Sequence, residues 1–363
     1  MQLSIISPTF NESLNISKLV ASIEEVLTIE DYEIIFVDDN SQDRTYAVVK
    51  NIAKSKSRVR CIRRIGRRGL SSAVIEGCLS SSSDFLLIID SDLQHDEKKI
   101  PYMLKLVEDK KLDLVIGSRF LNNKKTKGLS KYRNLLSHLA NYLANKISKA
   151  ELTDPMSGFF LVRRSTFDLL APRLSGLGFK ILLDIFSSAK GKVKFEEISF
   201  NFKKRQYGVS KLDSLVIWEY LLLLWQCKFG KIIPAKFLSF CLIGGSGVIV
   251  HIIILYILIK NDIKFLNAQA ISTIVAMTTN FFLNNILTYR DNRKKGLAAI
   301  KALILFYLTC GIGAIANIGI SNILFISNVN GLSGIWYISG IIGALVGSIW
   351  NFLMSTLVTW KAK

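Results

Sequence analysis

Asp90, Asp92 and Gln94 place three oxygen donors on alternate residues directly after Phe85-Leu86-Leu87-Ile88-Ile89. That apolar run is too short for a helix and reads as a buried parallel strand. In open α/β sheets the ligand sits beyond the carboxyl ends of the strands. Hard oxygen donors on a short turn suit Mg²⁺ or Mn²⁺, and such ions usually share their coordination with a substrate phosphate. The same acids would also serve as plain capping groups before a helix at Asp96-Glu97, and this stretch alone does not separate the two readings. Two further strands end in acids: Glu12 follows the first, Asp38-Asp39 the second. Three acidic strand ends facing one crevice are hard to explain structurally. They can accept from base and ribose donors while a metal offsets a diphosphate.

The elements that must position these acids follow from hydrophobic spacing. Leu3 to Ser7, Glu33 to Val37, Val59 to Arg63, Phe85 to Ile89 and Leu112 to Ile116 read as strands. Between them Leu14, Leu19, Ile23 and Val26-Leu27, then Arg44 to Lys54, a helix opened by Gly69, and Lys98 to Glu108 read as helices. Strand and helix alternate at βαβ spacing, which predicts a doubly wound, mostly parallel sheet with helices on both faces. No GxGxxG follows the first strand and no GxxxxGK[ST] occurs, so both common phosphate loops are excluded.

Half of the 363 residues are hydrophobic, and they are unevenly spread. From Phe237 onward the only charges are nine basic and two acidic residues. A water-soluble basic part followed by a membrane part is expected. The net charge of +19 comes without zinc-finger spacing, an RNP-like aromatic motif or a basic helix, so nucleic acid is not the expected partner. An anionic substrate and an anionic membrane surface are. Cys61, Cys78, Cys227, Cys241 and Cys310 form no CxxC pair and imply neither a metal site nor a disulfide framework. The amino-terminal residues lack a basic n-region and start directly as a strand, so a signal peptide is not expected.

Leu215 to Lys228 mixes aromatics and leucines with Glu219 and a basic flank, and reads as an interfacial helix rather than a span. Four spans are expected at about 237–259, 267–289, 300–324 and 335–359, each near the ~20 residues a bilayer needs. Lys228, Lys231 and Lys236, then Arg290, Arg293, Lys294 and Lys295, then Lys361 and Lys363 fall on one side of such a bundle. That side is cytosolic by the positive-inside rule, which predicts a multi-pass membrane protein with its soluble part and both termini in the cytosol. Asn280, Asn284 and Asn285 could meet lipid headgroups or, the preferred reading, cement helix packing. No intramembrane carboxylate or lysine supports ion-coupled transport.

Taken in order, Pro8-Thr9-Phe10-Asn11-Glu12, Val37 to Thr45, Gly69 to Val74 and Asp90-Ser91-Asp92-Leu93-Gln94-His95 resemble family 2 glycosyltransferases. Gly117-Ser118-Arg119, Asp154 to Phe160, and Arg205 followed by Gly208-Val209-Ser210-Lys211 narrow the resemblance to the dolichol-phosphate mannose synthase group, over roughly residues 1–215. The later part resembles the GtrA-like membrane domain through Phe237-Leu238-Ser239-Phe240, Gly244-Gly245-Ser246-Gly247 and Asn280 to Asn285.

The resemblance implies a GT-A domain over 1–212, an interfacial linker over 213–234 and a membrane domain over 235–363. It implies that a hexose, mannose from GDP-mannose first among the choices, is moved with inversion onto a polyprenyl or dolichyl phosphate. By motif, Pro8, Phe10, Glu12, Asp38, Asp39, Arg68, Ser91, Arg205 and Lys211 would hold the nucleotide sugar. Asp90, Asp92 and Gln94 would hold Mg²⁺ or Mn²⁺, and Arg119, Arg133 and Ser137 the acceptor phosphate, with Asp92, Arg119 and Arg205 carrying the transfer. Ser91 stands where alanine is more usual, a change expected to be tolerated, and Tyr207 where relatives carry a second base. Asp154 is the remaining acid near the acceptor, or a structural one. His95 is expected to be a surface histidine at a helix start.

A lipid phosphate is ionised at neutral pH, so the nucleophile needs positioning and charge neutralisation rather than a general base. A UDP-sugar such as UDP-glucose would serve the same chemistry. A lipid-sugar flippase with a degenerate transferase domain is the alternative from another class. A processive polysaccharide synthase is disfavoured because no QxxRW occurs. Lys124 to Lys131 reads either as a solvated loop or as a segment that closes over substrate.

Overall fold

The computed structural model describes residues 2–29, 31–121, 141–203, 214–230, 232–326 and 336–361. The chain divides into two compact units, Met1–Ile232 and Ile233–Lys363. Among its described residues the first contains seven strands: β1 (Leu3–Thr9), β2 (Tyr32–Asp38), β3 (Val59–Arg63), β4 (Phe85–Ile88), β5 (Leu114–Ser118), β6 (Phe160–Arg163) and β7 (Phe195–Ser199). They lie in the order β3-β2-β1-β4-β6-β5-β7. Every pairing is parallel except those of β6, which runs antiparallel between β4 and β5.

Buried strands on a two-residue period split their side chains between two cores. Ile5, Phe36, Phe85, Leu87 and Leu161 meet one core, with Ile16 and Ile23 of α1 (Ser13–Val26) and Met103 and Val107 of α4 (Ile100–Asp109). Ile6, Val37, Leu86, Ile88 and Phe160 meet the other, with Val74 of α3 (Leu70–Leu79) and Phe186 of the helix Ile181–Ala189. Helices on both faces are what the alternating pattern predicts. α2 (Thr45–Ser55) joins β2 to β3. The chain turns back at the inner strand: β1, β2 and β3 run outward on one side and β4 lies on the other flank of β1. A crevice therefore opens at the carboxyl ends of β1 and β4.

The helix Ser214–Phe229 is part of this unit. Leu223 and Leu224 are buried with Ala144 and Leu183, while Ile217 and Leu221 are exposed.

The second unit is helical: Ala235–Lys260, Phe265–Leu283, Leu297–Ile326 and Trp336–Met354. Ala235–Lys260 and Ala270–Thr288 are long and apolar enough to cross a bilayer. The second and fourth helices each finish in a five-residue π turn, Asn284–Thr288 and Ser355–Thr359. Aligning the turns exposes a repeat that spacing alone had not drawn attention to: Asn280-Phe281…Thr288-Tyr289-Arg290 against Asn351-Phe352…Thr359-Trp360-Lys361. The contacts of the two halves are reciprocal. Trp360 Nε1 donates to Asn285 Oδ1 at 3.0 Å, and the Tyr289 hydroxyl meets Thr356 Oγ1, the equivalent of Asn285, at 2.8 Å. Phe240 packs on Phe352 at 5.7 Å between centroids, and Phe306 on Phe281 at 5.8 Å. The Tyr289 and Trp360 rings stack at 4.3 Å, within 4° of parallel. Within each half an asparagine amide, Asn280 or Asn351, fills the space a side chain on Gly247 or Gly313 would need. Asn285 also accepts from Lys294 N–H and donates to its carbonyl, which favours the packing role for that asparagine.

Candidate active site

Three loops interlock around the crevice. After β1, Asn11 N–H donates to Ser41 Oγ at 2.8 Å and Ser13 N–H to Asp43 at 3.0 Å. Asp43 also accepts from the Thr45 hydroxyl at 2.6 Å and from Thr45 N–H. Burial raises its pKa, but the Thr45 and Ser13 hydrogen bonds outweigh that and hold the carboxyl below its usual range. Glu12 keeps an acceptor oxygen on Asn15 at 2.6 Å. Asp38 is wholly buried and accepts from Ser41 N–H and hydroxyl and from Thr9. It organises the loop before it can offer anything to a ligand.

Asp39 accepts from Gly69 N–H at 2.7 Å and lies 3.0 Å from the Arg64 guanidinium. Burial pushes its carboxyl up, opposed by the Gly69 hydrogen bond and by the charges of Arg64 and Arg68. Arg64, only 2 % exposed, also donates to Gly69 carbonyl and Ser72 Oγ and pairs with Glu76. Sequence reading missed it because Arg63-Arg64 and Arg67-Arg68 look like one solvated basic run; no local signal marks the buried member. Arg68 stacks its guanidinium 3.7 Å above the Phe10 ring. Pro8 is half-buried at the end of β1.

At the end of β4, the Ser91 hydroxyl meets Ser7 Oγ at 2.7 Å and the Pro8 carbonyl at 3.1 Å. The extra oxygen is accommodated because β1 supplies its partner, and only the main chain of Ser91 is left for a ligand. Asp92 accepts from Gln94 N–H at 3.2 Å. Asp90 is the more open acid, its side chain 33 % exposed. Gly158 lies against it: a Cβ there would stand 2.5 Å from Asp90 Oδ2. Two carboxylates with an amide oxygen at one strand end are hard donors with room beside them. Such a partial set fits an ion that shares its coordination with a diphosphate. Gln94 also pairs with Lys203 through main chain and side chain, and Lys203 is fixed to buried Glu97 at 2.6 Å. Lys203 is thus anchored on the carboxylate turn.

His95 overturns the surface expectation. It is 3 % exposed, stacked on Phe159 at 5.3 Å and ringed by Phe200 and Phe202. Burial pushes its pKa down to about 4, so it is neutral at pH 7. Nδ1 accepts from Asp90 N–H at 3.3 Å, which leaves the proton on Nε2. The aromatic residues come from segments distant in sequence, which is why the local pattern misled.

Arg119 at the end of β5 is held by Asp154 through two bonds of 2.7 Å, with a third from its own N–H. Burial works against its charge, but the carboxylate fork more than offsets it. Asp154 is fully buried and its N–H donates to Glu197, so it positions the arginine. Lys180 was not anticipated. Burial and the Arg119 charge push its ammonium below the usual range, while Asp90 and Asp154 pull it back. Arg133, Ser137, Arg205, Lys211 and the Lys124 to Lys131 loop lie outside the described residues.

The glycosyl transferase family 2 model matches residues 4–170, and the GtrA/DPMS transmembrane domain model matches 239–360. A dolichol-phosphate mannosyltransferase of Pyrococcus furiosus is 32% identical over 369 residues, covering 99% of both chains. Proteins of that name from Mycosarcoma maydis and Saccharomyces cerevisiae are each 33% identical, covering 63% and 66% of this chain and 81% and 93% of theirs. Among solved structures, glucosyl-3-phosphoglycerate synthase from Mycobacterium tuberculosis, in complex with Mn²⁺, UDP-glucose and phosphoglyceric acid, aligns at TM-score 0.49 and 15% identity. That alignment covers 62% of this chain and 79% of that one, and at such a score it adds nothing to the topology above.

Proposed function

Because the chain belongs to the family 2 glycosyltransferases that carry a GtrA/DPMS transmembrane domain, we propose that it moves mannose from GDP-mannose onto a dolichyl or related polyprenyl phosphate. It is a glycosyltransferase with a GT-A sheet. The observation that carries the finer reading is the turn at the end of β4. There Asp90 and Asp92 follow the strand that pairs with β1, and Ser91 between them is bonded to Ser7 and Pro8 of β1.

In the proposed reaction an oxygen of the lipid phosphate forms a bond to C1 of the sugar as the C1–O bond to the diphosphate breaks. The electron pair leaves with GDP and the anomeric centre inverts. No proton has to be removed from the nucleophile, in line with a site whose one described histidine is neutral and enclosed. In this reading Asp39 and the Phe10–Arg68 pair would take the nucleoside, and Asp154 holds Arg119 through Nε and Nη2, leaving the remaining guanidinium N–H donors for phosphate oxygens. Asp90, Asp92 and Gln94 would hold Mg²⁺ or Mn²⁺, which when bound supplies Lewis-acid stabilisation of the leaving diphosphate. Arg133, Ser137, Arg205 and Lys211 complete the phosphate surroundings in this reading.

The basic residues at 228–236, 290–295 and 361–363 support four crossings with the catalytic domain and both termini in the cytosol. The domain limits proposed are 1–212, 213–234 and 235–363. Exposed Ile217 and Leu221 give the connecting helix an apolar face for the bilayer.

The test uses full-length protein in detergent with Mn²⁺ and a short polyprenyl phosphate, offered labelled GDP-mannose and UDP-glucose in parallel. Label extracted into organic solvent from GDP-mannose alone is expected. Label from UDP-glucose alone would overturn the donor assignment, and none from either, with lipid still bound, would favour the flippase. Asp92→Ala should lower transfer at least about 100-fold, since metal stabilisation is worth several kcal/mol.

A further inference from the structure

Phe202 keeps 41 % of its surface exposed, yet both its main chain and its ring are held in place. The next residue, Lys203, donates its N–H to the Gln94 carbonyl at 2.8 Å and accepts from Gln94 Nε2 at 3.1 Å. The Lys203 ammonium is in turn tied to Glu97 at 2.6 Å. The Phe202 ring lies 6.1 Å from Phe200 and 6.0 Å from His95, centroid to centroid. Both of those rings are buried, and His95 stacks on Phe159 at 5.3 Å. Phe202 is the outermost ring of this aromatic stack.

The same ring borders Arg119. The guanidinium carbon of Arg119 stands 5.4 Å from the Phe202 centroid and 5.3 Å from that of half-buried Phe120. Phe120 is fixed locally, its N–H donating to Ser118 Oγ at 3.2 Å. Asp154 takes up Nε and one N–H of Nη2, while the Arg119 side chain keeps 27 % of its surface exposed. An oxyanion that reaches the remaining donors carries whatever is attached to it into the neighbourhood of aromatic carbon. One exposed ring on a surface needs no explanation. A ring fixed beside an arginine assigned to the acceptor phosphate has a use, because a phosphate on a hydrocarbon chain matches both groups. A small phosphate ester with hydroxyls or a second carboxylate would find no hydrogen-bond partner in such a wall.

We propose that Phe202, with Phe120, forms the apolar wall that receives the first isoprene units of the acceptor while Arg119 takes its phosphate. The wall then selects an isoprenoid phosphate over a small phosphate ester. This rests on the transferase reading and deepens its account of the acceptor. Contact with the carbons next to the phosphate also restricts rotation of the chain behind the attacking oxygen, which favours alignment on C1.

Full-length wild type, Phe202→Ala and Phe202→Leu are compared in the same detergent, with thermal unfolding as control. Binding of farnesyl phosphate and of Mn²⁺–GDP is measured by calorimetry and needs no turnover; ethyl phosphate is measured by displacement of farnesyl phosphate. Transfer from GDP-mannose to farnesyl phosphate is measured second, with KM for each substrate. Losing cover over about two carbons of the chain predicts about a 10-fold weakening of farnesyl phosphate for Phe202→Ala, and a matching rise in its KM. Ethyl phosphate and Mn²⁺–GDP should bind as in wild type, and Phe202→Leu should recover most of the loss because it restores hydrocarbon without a ring. Ethyl phosphate weakened as much as farnesyl phosphate would overturn the proposal, since the ring would then only steady Arg119. Phe202→Leu falling as far as Phe202→Ala would overturn it as well, by making the ring's hold on the cation the important contact. So would weakened Mn²⁺–GDP or a raised KM for GDP-mannose with acceptor binding unchanged, which would turn the ring toward the donor. A wild type that binds farnesyl phosphate and Mn²⁺–GDP but transfers nothing would sink the transferase reading and leave the binding comparison to judge Phe202.

Discussion

Gly158→Ala offers a clean steric probe of the carboxylate turn. Its backbone is not in the left-handed region, so alanine brings no conformational strain. The new Cβ would stand 2.5 Å from Asp90 Oδ2, 3.0 Å from Cγ and 3.1 Å from Oδ1. Ordinary contact begins at 3.4 Å, so the near oxygen must retreat by 3.4 − 2.5, about 0.9 Å. Asp90 is open enough to solvent to swing without unfolding anything, and the loss of global stability should stay within about 1 kcal/mol. A shift of that size matters to coordination and alignment: misplacement by roughly 1 Å costs on the order of 100-fold in rate. The assay is transfer as a function of Mn²⁺ concentration, with thermal unfolding as control. The expected result is a fall of about 100-fold in kcat/KM, a raised Mn²⁺ requirement and a Tm within a few degrees of wild type. Wild-type transfer with an unchanged Mn²⁺ dependence would refute the assignment of Asp90 as a ligand.

Other substitutions separate holding from chemistry. Ser91→Ala removes bonds to Ser7 and Pro8 that lie wholly within the β1–β4 contact, so unfolding should show a loss of about 1 kcal/mol while transfer stays within a few-fold. Arg64→Met strands Asp39 and Glu76; breaking a buried pair costs about 3–5 kcal/mol, visible as a large drop in Tm. Trp360→Ala empties the stack between Tyr289 and Phe281 and should destabilise the membrane domain by about 3 kcal/mol, measured by unfolding in detergent. Tyr289→Phe, which loses the bond to Thr356, should cost about 0.6 kcal/mol in the same measurement.

The alternation of apolar runs was enough to find β1 to β5 and their helices, because a buried strand with polar punctuation leaves a local trace. β6 and β7 left none: Phe160–Arg163 is four residues long and pairs antiparallel with strands that precede it by more than forty residues. The acids at the strand ends were visible for the same local reason, but what each one touches was not. Asp38 turned out to be spent on Ser41 and Thr9, and Asp154 on Arg119. Burial of His95 likewise depends on three phenylalanines brought together only by folding.

The duplicated hairpin has a consequence for how such a domain can arise. Each half satisfies the other: Asn285 receives the Trp360 N–H, and Thr356 the Tyr289 hydroxyl, because its own proton goes to the Phe352 carbonyl. One hairpin by itself would leave these groups facing lipid, yet two identical copies would fulfil the same needs by symmetry. A hairpin also returns the chain to the side it left, so doubling the unit never inverts whatever is fused to it.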